Sequence, residues 1–184
     1  MILENLDIDF SWTLFLDRDG VLNRKRDNDY VKKWEEFEIL PGVLNALALA
    51  KDIFSTIVVV TNQQGIGKGL YSALQLEAIH DRFAQLVKAE GGRIDRFYYC
   101  PALDKEQAAC RKPNTGMALQ AKKDFPAIVF ERSFMVGDSV SDMEMGARLQ
   151  MKNVFIADVN PAFPLHGKPM IYPDLLSFVK EIKA

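Results

Sequence analysis

Thr13-Leu14-Phe15-Leu16-Asp17-Arg18-Asp19-Gly20 decides the reading of this chain. Four residues, three of them large and apolar, run straight into two carboxylates two positions apart, and then into a glycine. The run is too short and too apolar for an amphipathic helix. It reads as a strand buried on both faces, as the strands of parallel sheets are. If the extended geometry persists past the strand end, Asp17 and Asp19 point to the same side. Two close carboxylates can divide labour: one ionised nucleophile or metal ligand, and one acid whose proton affinity its neighbour raises. Gly20 lets the chain turn away sharply. Taken alone, the same residues also make an Asx-turn pair with no chemistry.

Outward from this strand the pattern alternates. Ser55–Thr61 (STIVVVT), Arg96–Cys100 (RFYYC), Phe134–Gly137 (FMVG) and Asn153–Ala157 (NVFIA) read as further strands. Helical stretches lie between and after them. One is opened by Leu40-Pro41-Gly42 and runs to about Lys51. Ser72–Lys88 follows, with Leu76, Ile79, Phe83, Leu86 and Val87 on one face. Three more run from Asn114 or Thr115 to about Asp124, from Ser141 to Leu149 and from Pro173 to Lys183. Strands separated by helices predict an α/β fold, a central parallel sheet with helices on both faces, in a single domain over residues 1–184. The charged stretch from Arg24 to Glu38 predicts a loop or flap. Three strands end in a polar residue, Asp17, Thr61 and Asp138. Open parallel sheets bind ligands outside the carboxyl ends of their strands.

Composition narrows the partners. Hydrophobic residues make up 48% of the chain, enough for a real core, and 23 basic against 25 acidic residues leave a net charge of −2. That balance carries no footprint for nucleic acid or an anionic membrane, so any phosphate must be held by locally placed donors. The start of the chain carries Glu4, Asp7 and Asp9 without a basic residue, unlike a secretory signal. No apolar run approaches the roughly 20 residues that span a bilayer. Two cysteines, Cys100 and Cys110, are too few for a disulfide framework and suit a reducing compartment. The expectation is a soluble cytoplasmic protein, read as a monomer.

Each strand end carries donors or carboxylates. Thr61-Asn62-Gln63-Gln64-Gly65 offers a hydroxyl, amides and backbone N–H groups that suit phosphate oxygens, and Lys68 follows between glycines. Arg111-Lys112-Pro113 supplies adjacent cations: Lys112 as a point charge on an attacked phosphoryl group, Arg111 as a bidentate grip. Asp138, in Gly137-Asp138-Ser139-Val140-Ser141-Asp142, is a hard oxygen ligand of the kind Mg²⁺ takes. For Asp142 two readings stand side by side: it orients a ligand from behind, or it caps the helix that begins there.

DRDGVLN, TNQQGIGKG, CRKP and GDSVSD, in that order on those strand ends, resemble the four motifs of the haloacid dehalogenase superfamily over about residues 12–157. More narrowly they resemble its compact branch, which contains the D-glycero-D-manno-heptose 1,7-bisphosphate phosphatases and the histidinol-phosphate phosphatase domain. The resemblance implies a Rossmann-like sheet, no large cap domain, bound Mg²⁺ and an aspartyl-phosphate intermediate. It makes Asp17 nucleophile and metal ligand, and Asp19 the acid/base, also touching the metal through its carbonyl. Asp138 completes the metal site. Thr61 and Asn62 bind the transferring phosphate, Arg111 contacts substrate, and Lys112 stabilises the transferring charge; Gln63, Gln64 and Lys68, read from the loop itself, are further substrate-binding candidates. The substrate implied is a sugar bisphosphate such as the heptose compound, with histidinol phosphate or another metabolite as alternative. A non-catalytic phospho-ligand binder would not need the paired nucleophile and acid.

The chain also departs from that branch. Relatives carry a zinc loop of the form CxH…CxC, whereas here Ala102 and Ala108 stand at two of the four ligand positions. Structural zinc is four-coordinate, so no zinc is expected, and the loop is expected to be held by packing or hydrogen bonds. Ser139 stands where relatives have a basic residue after the fourth-motif aspartate. Asp29-Tyr30-Val31 and Lys68 look more like the heptose enzymes than the histidinol ones. Arg24, Lys25 and Arg26 are read as either a grip for a second phosphate or ordinary surface.

Overall fold

The computed structural model describes residues 6–157 and 169–183. The acidic start around Glu4 therefore lies outside the described residues. Six parallel strands form one sheet: β1 (Thr13–Leu16), β2 (Thr56–Asn62), β3 (Arg96–Cys100), β4 (Ser133–Gly137), β5 (Lys152–Ile156) and β6 (Met170–Tyr172). Their order is β3-β2-β1-β4-β5-β6. The expected α/β fold is thus present.

Alternation along the strands builds two cores. Leu14, Leu16, Ile57 and Val59 face α1 (Val43–Ala50), α3 (Ala73–Ala89) and α6 (Leu175–Lys183), packing with Leu47, Phe83 and Phe178. Phe15, Val58 and Val60 face the other way, toward Met117 and Ala121 of α4 (Gly116–Asp124) and Met145 of α5 (Val140–Arg148). Helices therefore cover both faces, and β1 is buried throughout. Phe134 at the centre stacks on Trp12 at 5.1 Å and meets Phe54 and Phe178 edge-on. Its truncation to Ala would cost about 3–5 kcal/mol.

Leu16 lies opposite Val59 on one side and Val136 on the other, so β1 ends beside β4, which stops one residue further on at Gly137, while β2 continues to Asn62. The strand order reverses between β1 and β4, which opens a crevice there. Residues 17–42 form a flap rather than a cap domain: one turn of 3-10 helix at Trp34–Glu36 and otherwise loop. Gly20, at the root of the flap, has φ +94, and a Cβ there would run into the Asp138 carboxylate. The turn after Asp19 thus requires glycine, both for its backbone and for its nearness to β4.

Three features differ from the sequence expectation. Gln64–Gly67 forms one helical turn, α2, inside the loop after β2. β6 is an extra edge strand of only three residues. Most consequentially, Cys100 and Cys110 are joined in a disulfide, with Cα atoms 5.4 Å apart. The sequence suits a reducing compartment and a loop held by packing or hydrogen bonds, and the bridge departs from both. The loop between them turns back on the end of β3, which brings the two Cα atoms within bridging distance.

Candidate active site

Asp17 leaves β1 with its amide donating to the carbonyl of Val136, so the side chain emerges between β1 and β4. Lys112 reaches the same place from the loop before α4 and is almost fully buried. Its Nζ lies 2.8 Å from Oδ1 of Asp17, 2.6 Å from Oδ1 of Asp142 and 2.8 Å from the carbonyl of Val60. An ammonium has three N–H groups, and these are three acceptors. Burial alone would lower the pKa of Lys112, but Asp142 and then Asp17 outweigh it, so the ammonium is held charged. Burial pushes Asp17 up to about 7, helped by Asp142 and Asp138 and opposed by Lys112. Extra positive charge is needed before Asp17 is a fully ionised nucleophile at neutral pH.

Asp142 caps α5 and also faces Lys112. It sits at the third position of α5, where Oδ2 accepts from the backbone N–H and the hydroxyl of Ser139, while Oδ1 faces Lys112. The capping box turns the carboxylate inward.

Asp19 is held by a polar cluster that the sequence did not reveal. Its Oδ1 accepts from Arg18 and Asn23, each at 2.9 Å, and its Oδ2 from Gln63 at 2.8 Å. Burial would raise its pKa, yet the guanidinium of Arg18, with these hydrogen bonds, holds Asp19 below the usual carboxylate range. Arg18 itself is 1% exposed, lies 5.8 Å above the ring of Phe37, and places Nη1 3.3 Å from Nε2 of His80. Arginine only donates, so Nε2 of His80 accepts and its proton sits on Nδ1. The signal was present in the motif: Arg18 falls between two same-side carboxylates and so turns to the interior.

Gln63, expected to bind substrate, is buried and engaged with Asp19, Thr61 and the hydroxyl of Tyr71. It does not line the cleft, and neither does Lys68, which donates to the Tyr30 hydroxyl at 2.9 Å and lies over that ring. Asn62 reaches across to the main chain of Lys112, accepting its N–H at 3.0 Å and donating to its carbonyl at 3.1 Å. Thr61, Asn62, Gln64 and Arg111 join Asp17, Asp19 and Lys112 around a cleft of about 250 Å³. Arg111 is steadied by Asp104 at 3.1 Å.

The flap cations separate. Arg24 pairs with Glu38 and does not line the cleft. Lys25 and Arg26 do line it, with Lys25 Nζ 2.8 Å from Oδ2 of Asp138.

A divalent cation fits this donor set. Carboxylate oxygens of Asp17, Asp138 and Asp142 lie within 4.8 Å of one another. Oδ1 of Asp138 is buried and has no hydrogen-bond partner among the described residues. Burial raises the pKa of Asp138 although Lys25 opposes it, as expected of a carboxylate short of positive charge. Hard oxygens suit Mg²⁺. The sulfur atoms of Cys100 and Cys110 are bonded to each other.

Known proteins carry the same plan. The family model described as polynucleotide kinase 3 phosphatase matches residues 6–162. The D-glycero-alpha-D-manno-heptose-1,7-bisphosphate 7-phosphatase of Mycobacterium tuberculosis is 44% identical over 134 residues, 73% of this chain and 70% of that protein. The D-glycero-beta-D-manno-heptose-1,7-bisphosphate 7-phosphatase of Pseudomonas putida is 36% identical over 173 residues, 92% of this chain and 98% of that protein. The crystal structure of a D,D-heptose 1,7-bisphosphate phosphatase from B. bronchiseptica, complexed with magnesium and phosphate, superposes with a TM-score of 0.83. It is 29% identical and covers 94% of this chain and 98% of its own. With its four motifs gathered at one crevice, the chain belongs to the haloacid dehalogenase superfamily of phosphatases, within the family of the polynucleotide kinase 3 phosphatase model.

Proposed function

We propose that this chain hydrolyses a phosphomonoester through an aspartyl-phosphate on Asp17, and that its substrate is a sugar bisphosphate of the heptose 1,7-bisphosphate type. The observation that carries the chemistry is the buried Lys112 ammonium shared by Asp17 and Asp142, beside the unpartnered oxygen of Asp138. The names of the relatives support the substrate.

In this mechanism an oxygen of Asp17 attacks phosphorus, and the bond from phosphorus to the sugar oxygen breaks. Asp17, Asp138 and the carbonyl of Asp19 would hold Mg²⁺, which when bound would supply neutralising charge. Lys112 offsets the negative charge around Asp17. Asp19 takes up a proton as the substrate phosphate arrives, gives it to the leaving oxygen, and then takes one from the water that cleaves the aspartyl-phosphate. Arg18, Asn23 and Gln63 favour the ionised form of Asp19. The arriving phosphate brings negative charge beside it and so raises its proton affinity.

The test is phosphate release from both heptose 1,7-bisphosphate anomers, the matching monophosphates, histidinol phosphate and a 3′-phosphorylated oligonucleotide. A higher kcat/KM on a bisphosphate is expected, and Asp17→Asn should abolish all turnover with the fold retained. Equal rates on mono- and bisphosphates would remove the heptose reading. Preference for the oligonucleotide would give the family model's name its literal meaning.

A further inference from the structure

Among the described residues, five cations line the cleft, and their engagements differ. Arg18 is buried against Asp19 and His80. Lys112 has three acceptors. Arg111 holds Asp104 and reaches the carbonyl of Ala102, and Arg26 leans toward Asp29 at 3.4 Å. Lys25 makes one bond, to Oδ2 of Asp138, and its side chain is 53% exposed. Two of its three N–H groups have no acceptor among the described residues.

Lys25 also stands where charge is short. Asp138 is followed by Ser139, whose hydroxyl is taken by Asp142 and lies against Ser141, so this edge of the cleft brings no cation of its own. A phosphate entering beside Asp17, Asp19 and Asp138 meets three carboxylates. Lys112, held between Asp17 and Asp142, already answers two buried acids.

We propose that Lys25 is a substrate ligand, an ammonium delivered by the flap that grips the transferring phosphoryl group from the Asp138 side. The inference rests on the reading of Asp17 as phosphoryl acceptor. It assigns Lys25 a contact with substrate rather than the duty of steadying Asp138 as a metal ligand. One charge-assisted contact at a half-exposed position corresponds to about a tenfold change in phosphate affinity.

Binding is measured on the full chain by calorimetry, with inorganic phosphate titrated at saturating Mg²⁺ and Mg²⁺ titrated without phosphate. For Lys25→Met, phosphate should bind about tenfold more weakly, with Mg²⁺ affinity unchanged or higher. Lys25→Arg should stay within about threefold of wild type, and Lys25→Met with Ser139→Lys should recover part of the loss. KM for p-nitrophenyl phosphate, which has one phosphate, should rise in parallel. Unchanged phosphate binding in Lys25→Met overturns the proposal. So does weaker Mg²⁺ binding without phosphate, which would make Lys25 a support for Asp138. So does a loss confined to bisphosphates. A wild-type protein that neither binds inorganic phosphate nor hydrolyses p-nitrophenyl phosphate would sink the phosphatase reading as well.

Discussion

Asp142 and Asp17 grip one ammonium: Nζ of Lys112 lies 2.6 Å from the first carboxylate and 2.8 Å from the second. Asp142 is fully buried on α5 and Asp17 ends β1, so Lys112 ties a helix to the central strand at the point of chemistry.

Asp142→Asn tests this arrangement. The amide still caps α5 but no longer balances the buried charge of Lys112. The expected result is a kcat lower by about 10–100-fold with KM nearly unchanged, and a stability loss of about 1–3 kcal/mol. Steady-state kinetics with thermal melts measure both. A rise in KM at constant kcat would mean that Asp142 serves substrate binding instead.

Asp19→Asn should discriminate leaving groups. A sugar alkoxide needs a proton to depart and nitrophenolate does not. Hydrolysis of sugar phosphates should fall by about 10²–10⁴, and that of p-nitrophenyl phosphate by less than about tenfold. Equal losses on both would take the acid role away from Asp19.

His80 gives a stability signature in acid. Burial, reinforced by the charge of Arg18, pushes it down from 6.5 to about 3. A base depressed in the fold is neutral there and protonated in the unfolded chain across that window. Its contribution is thus fully present above about pH 6.5 and is lost as pH falls toward 3. Wild type should lose about 2–3 kcal/mol more than His80→Gln between about pH 7 and pH 4 in denaturant titrations. Parallel curves would show that a neutral imidazole is not required beside Arg18.

Metal and disulfide should be separable. Chelation should abolish activity until Mg²⁺ is restored, and elemental analysis should find no stoichiometric zinc. Reduction, or Cys100→Ser with Cys110→Ser, should cost about 3 kcal/mol, the closure entropy of a loop with a sequence separation of 10. About one tightly held zinc per chain would overturn this, as would a reduced form as stable as the oxidised one.

What was legible in the sequence follows from what periodicity encodes. Strands such as Thr13–Leu16 and Arg96–Cys100 stood out because both of their faces are apolar or aromatic, and the polar strand ends Asp17, Thr61 and Asp138 pointed to the crevice. Side-chain direction beyond a strand end is set by tertiary partners. Gln63 therefore turned to Asp19 rather than to the cleft, and Lys68 to Tyr30. His80 looked like an ordinary member of α3 because its partner, Arg18, lies 62 residues away. β6 has three residues, too few to show an alternation. Two cysteines ten apart reveal nothing about pairing until the loop between them is seen to close.

The reciprocal pair between Asn62 and the main chain of Lys112 reproduces with a side chain what neighbouring strands do with their backbones. It extends the rung pattern of β2 by one step, to a residue that belongs to no strand. Lys112 is thereby surveyed from the sheet, not from the loop that precedes it. Insertions or deletions between Pro101 and Ala109 would leave the lysine in place.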